Sequence, residues 1–213
     1  LIAAEDKNFF HHPGIDLFSI LRATWVNIKS RKIIQGGSTL TQQTAKNLFK
    51  RQGRTFRAKI EELIQALKLE AHFSKKEIIE FFANQFYVTG TGRGLAVAAK
   101  YFFDKPVAEL NLLECAFIAG AVRAPNRYNP LVQPNPEKKK VVFARAIARK
   151  NYVLKNMFKL GMISPAQYYQ LLEAPIPFKE GKVYYELNVI LDYLKEELQS
   201  EKFQNILNEH GIS

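Results

Sequence analysis

Apolar residues recur at helical spacing along most of the chain, and no alternating pattern typical of strands continues for long. Glycines and prolines fall mostly between these periodic stretches, where they are expected to mark turns. The pattern therefore predicts an all-α fold. The length of 213 residues, of which 47% are hydrophobic, suits one sizeable core or one domain with a smaller lobe.

The first predicted helix carries Glu5 and ends near His12, because Pro13 disfavours helical geometry in the residue before it. Gly14 supplies the turn, and Asp16 offers a cap for the next helix. We therefore expect Glu5 to lie on a helix close to a sharp reversal of the chain.

Residues 17–28 form an amphipathic pattern with cations close by. Its apolar positions are Leu17, Phe18, Ile20, Leu21, Trp25 and Ile28, and its cations are Arg22, Lys29, Arg31 and Lys32. This combination predicts a membrane-surface element. Judged by itself, such a stretch is more often an ordinary amphipathic helix that packs on the core, and the motifs around it favour the membrane.

A polar run, Gly36-Gly37-Ser38-Thr39-Leu40-Thr41-Gln42-Gln43, precedes the next helical pattern. Thr39 and Gln42 have the spacing of a capping box, which explains part of the run without any function. It does not explain Gln43, Lys46 and Asn47, which share one face of a helix, with Lys50 one turn further along. Such a face of amides and ammonium groups suits phosphate oxygens, although a solvated surface is the ordinary alternative.

The following segments are predicted to be structural. We expect Ile60, Leu63, Ile64 and Leu67 to form the core face of one helix. Arg57 with Glu61, and Lys59 with Glu62, have the spacing of helix-surface ion pairs. Residues 80–105 read as two apolar helices around a turn, with Asn84 as an internal hydrogen-bonding group. The solvated side of a later long helix is predicted to hold Lys138, Lys139, Lys140, Arg145, Arg149 and Lys150.

The charge of the chain is strongly positive, with 31 Lys and Arg against 20 Asp and Glu and a formal net charge of +11. This charge predicts an anionic partner, which on composition alone is a nucleic acid, phospholipid headgroups or a phosphorylated substrate. No apolar run reaches the length of a membrane span. The chain reads as a piece of a longer protein, and any membrane anchor is expected outside it.

Five motifs along the chain together carry a specific resemblance. The first is Glu5-Asp6-Lys7-Asn8-Phe9 with His12, Gly14 and Asp16; the second is the polar run 36–43 followed by Lys46-Asn47; the third is Ala58-Lys59-Ile60-Glu61-Glu62. The fourth comprises Glu80, Asn84, Gly94 and Ala98-Ala99, and the fifth Glu114, Ala119-Gly120, Ala124-Pro125, Tyr128-Asn129-Pro130 and residues 149–157. From residue 1 to about Met157, the chain resembles the peptidoglycan glycosyltransferase domain of class A penicillin-binding proteins and monofunctional transglycosylases.

This chain departs from the family pattern at five positions. Ala58 replaces the usual arginine of the third motif, with Arg57 beside it, and Glu61 directly precedes the expected Glu62. In the fourth motif, Ala83, Thr89 and Asp104 replace a leucine and two glycines. The effect of these departures on activity is not predicted by the pattern.

The resemblance implies a lysozyme-like fold with a large helical lobe and a small jaw lobe that dips into the membrane. The implied glycosyltransferase domain covers residues 1–180, with the jaw at about 15–53, and residues 181–213 form a helical tail or the start of a linker. The implied location is the outer face of the cytoplasmic membrane.

The implied reaction polymerises lipid II, a lipid-linked disaccharide pentapeptide, into glycan strands with inversion and with release of undecaprenyl pyrophosphate. Glu5 becomes the general base, Lys46, Arg54 and Lys59 neutralise the leaving pyrophosphate, and Glu62 organises these cations. The remaining residues implied to bind substrate are Asp6, Phe9, Ser38, Thr39, Gln42, Gln43 and Asn47. Mg²⁺ or Mn²⁺ is compatible with a pyrophosphate, but the sequence contains no dedicated set of ligands, so the metal stays undecided.

The implied partners are lipid II, the growing lipid-linked strand, the membrane surface and a moenomycin-type inhibitor, and no nucleic acid. Two other functions stay open. A lysozyme-like hydrolase or lytic transglycosylase would use Glu5 as a general acid and would have no need of Gln43, Lys46 and Arg54. A non-catalytic lipid-binding module would keep the fold and would tolerate the loss of Glu5.

Overall fold

The structure is a computed structural model that describes residues 1–32, 36–50, 53, 55–89 and 92–179. Arg54, residues 33–35 and 51–52 of the predicted jaw, and the predicted tail at residues 181–213 lie outside the described residues. The first half contains five helices: α1 (Ile2–Glu5), α2 (Leu17–Ser30), α3 (Leu40–Leu48), α4 (Phe56–His72) and α5 (Lys75–Gln85).

The second half begins with two short antiparallel strands, β1 (Tyr87–Thr89) and β2 (Gly92–Arg93). Five helices follow: α6 (Leu95–Phe103), α7 (Leu112–Ala121), α8 (Pro125–Tyr128), α9 (Pro136–Lys159) and α10 (Pro165–Glu173). Short 3₁₀ turns occur at Phe9–His11 and Val107–Glu109. The all-α prediction is confirmed, and within the described ranges the small hairpin is the exception to it.

Capping predictions at the starts of two helices are confirmed. The Asp16 carboxylate accepts a hydrogen bond from the Ser19 backbone N–H, and Thr39 and Gln42 form a complete capping box at the start of α3. The first helix, however, ends at Glu5 rather than near His12. It ends early because Asp6 leaves the helical path, and its side chain contacts His12 and the backbone of Leu40.

The core consists mainly of α7 packed on α9 and of α3 packed on α4 and α5. An aromatic cluster fills the first region, where Phe117 contacts Phe102 and Phe178 at ring-centroid distances of 5.0 and 4.8 Å. Burial of each such ring stabilises the fold by roughly 2 kcal/mol or more. The second region is filled by Phe9, Leu40 and Phe82, which join the first helices to α5.

The predicted core face of α4 is wrong. The residues of α4 that are buried are Ala58, Glu62, Ala66 and Leu69. Ile60, Ile64 and Leu67 are exposed, and Leu63 is only half-buried. Two alanines on the buried face allow α4 to lie close to α3, whereas the larger aliphatic side chains point to the opposite side of the helix.

Helix α2 leaves its large apolar side chains exposed. Phe18 is 83% exposed and Trp25 is 70% exposed, and Ala23 is the buried residue of this helix. The described part of the chain therefore offers no core surface that covers this face, which argues against the core-packing alternative. Among the described helices, none combines the length and the apolar character that crossing a bilayer requires.

Two further expectations need correction. Asn84 is exposed rather than an internal hydrogen-bonding group. On α9, Lys138, Lys139, Lys140 and Arg145 are exposed as predicted, but Lys150 is fully buried and Arg149 is largely covered. The Lys150 ammonium group donates to the carbonyls of Leu171, Leu172 and Ala174, so it holds the end of α10 against α9.

Candidate active site

The first two motifs are joined through the buried Asp6 carboxylate. It accepts a hydrogen bond from the Leu40 backbone N–H at 2.8 Å and lies 3.0 Å from His12 Nε2. His12 Nδ1 accepts from the Gly14 backbone N–H, which places the ring proton on Nε2, directed at Asp6. The Thr39 hydroxyl donates to the Gly14 carbonyl at 2.6 Å. These contacts fix the start of α3 beside the end of α1, where Glu5 lies.

The chain reversal within the first motif depends on Gly14, which has a φ of +90°. A Cβ at this position would lie 2.8 Å from Glu70 Cγ, so both the conformation and the space favour glycine. Glu70 is held in turn by Thr41 and by Lys75, whose ammonium group lies 2.7 Å away. The turn is therefore braced from three helices.

Glu5 is a largely buried carboxylate with one protein hydrogen bond. Its Oε1 accepts from Arg149 Nη2 at 2.8 Å, and the two side chains are 7% and 12% exposed. The described residues provide no hydrogen-bond donor to Oε2. One oxygen of Glu5 is therefore held in place, and the other is available to a reacting group.

Arg149 reaches Glu5 from α9 and is itself fixed by two other groups. Its Nε donates to the Gly120 carbonyl at 2.8 Å, and its guanidinium lies 4.7 Å from the centre of the Tyr152 ring. Gly120 is needed for this path, because a Cβ there would lie 3.0 Å from Arg149 Cγ. The ion pair is thus rigid on the arginine side.

Two opposing effects set the pKa of Glu5. Burial is the larger effect and raises the pKa of this carboxyl above its ordinary value. The positive charges of Arg149 and Arg123 oppose the rise, as does the hydrogen bond from Arg149. Burial makes Glu5 a stronger base than an exposed glutamate, and Arg149 favours its ionised form.

A second ion pair of the site lies in the first half of α4. Lys59 forms an ion pair with Glu62 and donates to the Ser38 hydroxyl at 3.1 Å. Glu62 is almost fully buried, whereas about a third of the Lys59 side chain is exposed. The predicted ion pairs of Lys59 with Glu62 and of Arg57 with Glu61 are both confirmed. The first pair has its ammonium group at the surface beside the second motif.

The polar face predicted for α3 opens into a cleft of about 660 Å³. Lys46, Asn47 and Lys50 line one side of it. The other lining residues are Leu48, Asn84, Gln85 and Arg93. Gln43 is half-buried and is not a lining residue of the cleft. The predicted grouping on one helix face thus holds for Lys46 and Asn47, and Lys50 lines the same cleft from beyond the end of α3.

Four predicted substrate-binding residues are buried in the scaffold: Asp6, Phe9, Thr39 and Gln42. Phe9 lies in the core, and the polar groups of Asp6 and Thr39 are used by the contacts described above. The amide nitrogen Nε2 of Gln42 finds no acceptor among the described residues. Of the four, only Gln42 keeps an unused hydrogen-bonding group.

Sequence patterns did not identify three charged residues of the site, which are Arg149, Arg123 and Arg93. Of these, Arg149 has the largest effect on the pKa of Glu5. It lies 144 positions after Glu5, so no local spacing connects them. One signal was available on α9 itself. Val142, Ala146 and Val153 form its buried stripe, and Arg149 and Lys150 lie at helical spacing within that stripe.

The residues present do not fit a dedicated metal site. Within the described ranges, no group of three or more His, Cys, Asp or Glu side chains is placed to hold an ion. Glu62 brings a single carboxylate, and it is already paired with Lys59. A hard divalent cation requires several oxygen ligands, so we assign no chemical step to a metal.

Comparison with known proteins gives one consistent family. The family described as Transglycosylase matches residues 1–158. The chain is 42% identical over 194 residues to penicillin-binding protein 1A of Aquifex aeolicus, covering 91% of this chain and 26% of that protein. It is 42% identical over 176 residues to penicillin-binding protein 1A of Pseudomonas aeruginosa, covering 83% of this chain and 20% of that protein.

Among solved structures, a crystal structure of penicillin-binding protein 1A from Haemophilus influenzae matches with a TM-score of 0.45 and 25% identity. The match covers 76% of this chain and 21% of that chain. The chain thus spans about a quarter or less of the length of each of these three relatives.

Proposed function

Because the chain belongs to the transglycosylase family, we propose that it is a peptidoglycan glycosyltransferase that polymerises lipid II into glycan strands. The observation that carries this proposal is the Glu5 carboxylate, buried at the junction of the first two motifs with Oε1 held by Arg149 and Oε2 open. This arrangement suits a general base whose orientation is fixed before the substrate binds.

In the proposed reaction, a sugar hydroxyl of the acceptor attacks the anomeric carbon of the donor strand. The new carbon–oxygen bond forms as the bond to the pyrophosphate oxygen breaks, and its electron pair leaves with undecaprenyl pyrophosphate. The hydroxyl proton passes to Glu5 Oε2. Attack from the face opposite the leaving group inverts the anomeric configuration.

Charge on the departing pyrophosphate requires cations rather than a proton donor. We assign this role to Lys46, Lys59 and Arg54. Glu62 and Ser38 support the assignment for Lys59, since both contact its ammonium group and fix its position. Glu62 therefore acts as an organiser of the cation and not as the acid that a glycosidase would need.

The other predicted binding residues divide into two groups in this proposal. Asn47, Gln43 and Ser38 lie at or near the surface, where they can hydrogen-bond the donor. Asp6, Phe9 and Thr39 hold the site in shape, because their contacts lie within the scaffold. The side-chain NH2 group of Gln42 is available to a bound water or substrate.

We further propose that α2 is the part that contacts the membrane. Phe18, Leu21, Trp25 and Ile28 are each more than two-thirds exposed, and cations flank them along the same helix. Such a face can insert into the headgroup region of an anionic leaflet. The proposed location is the outer face of the cytoplasmic membrane, and a moenomycin-type inhibitor is expected to compete with the donor strand.

The hydrolase alternative requires a protonated Glu5 at the start of the reaction, because Glu5 would then be a general acid. Burial raises the pKa of Glu5 and Arg149 opposes that rise, so both roles are compatible with the environment of this carboxyl. The cations distinguish the two reactions. Lys46 and Lys59 would have no role in the hydrolysis of a bond between two sugars, because no pyrophosphate departs in it. The cations therefore favour the transferase.

The test is a polymerisation assay in detergent with fluorescent lipid II, with products separated on a gel and digested with a muramidase. The wild type is expected to form polymer, and Glu5→Gln is expected to lose about 10³-fold in kcat because the amide cannot accept the proton. Glu137→Gln, an exposed carboxylate on α9, is the matched control and should retain full activity. Cleavage of finished peptidoglycan by the wild type, without polymer, would instead identify a hydrolase. Absence of both reactions would favour a lipid-binding module.

A further inference from the structure

The far end of the α3 cleft contains two cations for which the proposed chemistry has no role. Lys50 lies just beyond the end of α3, and Arg93 lies on β2 across the cleft. Both are exposed, and neither side chain forms an ion pair with a described acid. Exposed cations are common on a strongly basic protein, so exposure alone does not indicate a binding site. The placement of these two cations in the fold does.

The position of Arg93 is built into the fold by the glycines on either side of it. Gly94 has a φ of +89°, its N–H donates to the Phe86 carbonyl at 2.8 Å, and an added Cβ would lie 2.8 Å from the Asn84 carbonyl oxygen. The hairpin therefore lies directly against the end of α5. Arg93 Nη1 donates to the Gln85 carbonyl at 3.4 Å, which holds the side chain beside another lining residue of the cleft.

The residues lining the cleft are suited to an oxyanion. Of the lining residues that the structure describes, three carry positive charge, three carry amides, one is a leucine and none is an acid. Amide N–H groups donate to carboxylate or phosphate oxygens, and a guanidinium can bind such a group with two parallel hydrogen bonds. A cleft of about 660 Å³ has room for a substituted phosphate or for the end of a peptide.

The cleft is separated from Glu5 by most of α3. That helix begins at Leu40, whose N–H contacts Asp6, and Lys46 follows six residues later, which is about 9 Å along the helix axis. Lys50 lies beyond the end of the helix. A group bound at Lys50 and Arg93 is therefore held at a distance from the proton-accepting oxygen, in a position to orient a substrate rather than to react.

We propose that Lys50 and Arg93, with Asn84 and Gln85, form a second anion subsite that holds an oxyanion of the substrate outside the reacting bond. This inference rests on the proposed function, in which two pyrophosphate-bearing lipids meet and only one of the pyrophosphates departs. The oxyanion is either the retained pyrophosphate or a carboxylate of the stem peptide, and both present the same chemistry to the subsite. Lys50 and Arg93 thus contribute to binding, whereas the leaving group departs beside the cations assigned to it, of which Lys46 lines the near end of the same cleft.

The test compares the wild type with Lys50→Ala/Arg93→Ala in the same polymerisation assay. The matched control is Lys138→Ala/Lys139→Ala, which removes two exposed charges from the start of α9. Each variant is assayed with ordinary lipid II and with lipid II whose peptide carboxylates are amidated. Binding of inorganic pyrophosphate is measured separately by calorimetry at two salt concentrations.

For the cleft variant we expect KM for ordinary lipid II to rise about tenfold with kcat within about twofold, since two charge-assisted contacts are lost. The control pair should leave KM unchanged. If the rise disappears with the amidated substrate, the subsite binds the peptide carboxylate, and if it persists, the subsite binds the retained pyrophosphate.

An unchanged KM in the cleft variant with both substrates would overturn the proposal. Should the wild type form no polymer, the proposed function fails, and calorimetry then decides the subsite by itself. In that case, pyrophosphate binding weakened about tenfold in the cleft variant, but not in the control, would support an anion subsite, and equal binding would reject it.

Discussion

Glu5 and Glu114 are both buried carboxylates paired with a cation, but the protein gives them different numbers of hydrogen bonds. Glu114 is fully buried, its Oε1 accepts from Lys105 at 2.8 Å, and its Oε2 accepts from the Asn111 backbone N–H at 2.9 Å. From the residues that the structure describes, Glu5 accepts a single hydrogen bond, which Arg149 donates to Oε1. Both oxygens of one carboxylate are satisfied, whereas the other keeps an open oxygen.

This difference separates a carboxylate that belongs to the fold from one that is available for chemistry. Glu114 completes the capping box of α7 and connects it to the segment after α6, so its charge is used by the scaffold. Glu5 is left with a raised pKa and an oxygen that a substrate hydroxyl can reach. Burial alone would not distinguish the two residues, but the hydrogen-bond inventory does.

The largest effect on stability that tests this comparison is expected from Glu114→Gln. The amide removes the negative charge beside Lys105 and cannot satisfy both donors, so the free energy of unfolding should fall by about 2 kcal/mol. The ammonium partner is partly exposed and can turn to water, which keeps the loss below that of a fully buried pair. Urea denaturation followed by circular dichroism measures the change.

The same substitution at Glu5 should have the opposite sign. The pKa of Glu5 is raised in the folded state, so the ionised carboxylate of the active enzyme lowers the stability of the fold relative to a neutral side chain. Glu5→Gln should therefore match or exceed the wild type in stability while losing activity. Equal destabilisation by both substitutions would show that Glu5, like Glu114, is a structural carboxylate.

Lys150 extends the comparison to a buried cation, whose ammonium group finds all its hydrogen-bond acceptors within the fold. It donates to three carbonyls at the end of α10, and desolvation lowers its pKa. Lys150→Met keeps the side-chain volume but leaves those carbonyls without a donor, so the free energy of unfolding should fall by about 1.5 kcal/mol. Lys155→Met, at an exposed position one turn further along α9, is the control and should change stability by less than about 0.5 kcal/mol. A variant as stable as the wild type would show that water replaces the ammonium group without cost.

Local patterns predicted several features of this chain from the sequence. The caps Asp16 and Thr39, the ion pair of Lys59 with Glu62, and the shared face of Lys46 with Asn47 all depend on residues within a few positions of each other. Helix geometry fixes such relations almost independently of the rest of the fold. The resemblance of the motifs gave the family directly.

Long-range packing decided the features that the sequence did not reveal. On α4, periodicity indicated an apolar face, but Ala58 and Ala66 made the close contact with the neighbouring helices instead. The pairing of Glu5 with Arg149 requires α9 to pass beside α1, which no local spacing records. For the same reason Lys150 looked like an exposed cation of a basic helix, although it is buried. Charged residues within an apolar helical stripe are the sequence signal that both cases share.

The smallest expected effect concerns Arg149, whose positive charge opposes the effect of burial on the pKa of Glu5. Burial raises the pKa of Glu5, and the guanidinium opposes that rise, so Arg149→Met should raise the pKa further. A general base is inactive when protonated, and the acid limb of kcat/KM should therefore move to higher pH by on the order of one unit. A rate profile from pH 4.5 to about 8.5 would measure the shift independently of the amount of folded enzyme.

Two further variants distinguish an electrostatic effect of Arg149 from a purely structural one. Arg149→Lys keeps a positive charge near Glu5, so its acid limb should lie between those of the wild type and Arg149→Met. Arg145→Met removes an exposed arginine one turn earlier on α9 and should leave the profile unchanged. If Arg149→Met lowered kcat but kept the acid limb of the wild type, Arg149 would only orient the carboxylate. The ionisation of Glu5 would then be governed by burial and by Arg123, and the open Oε2 alone would distinguish Glu5 from Glu114.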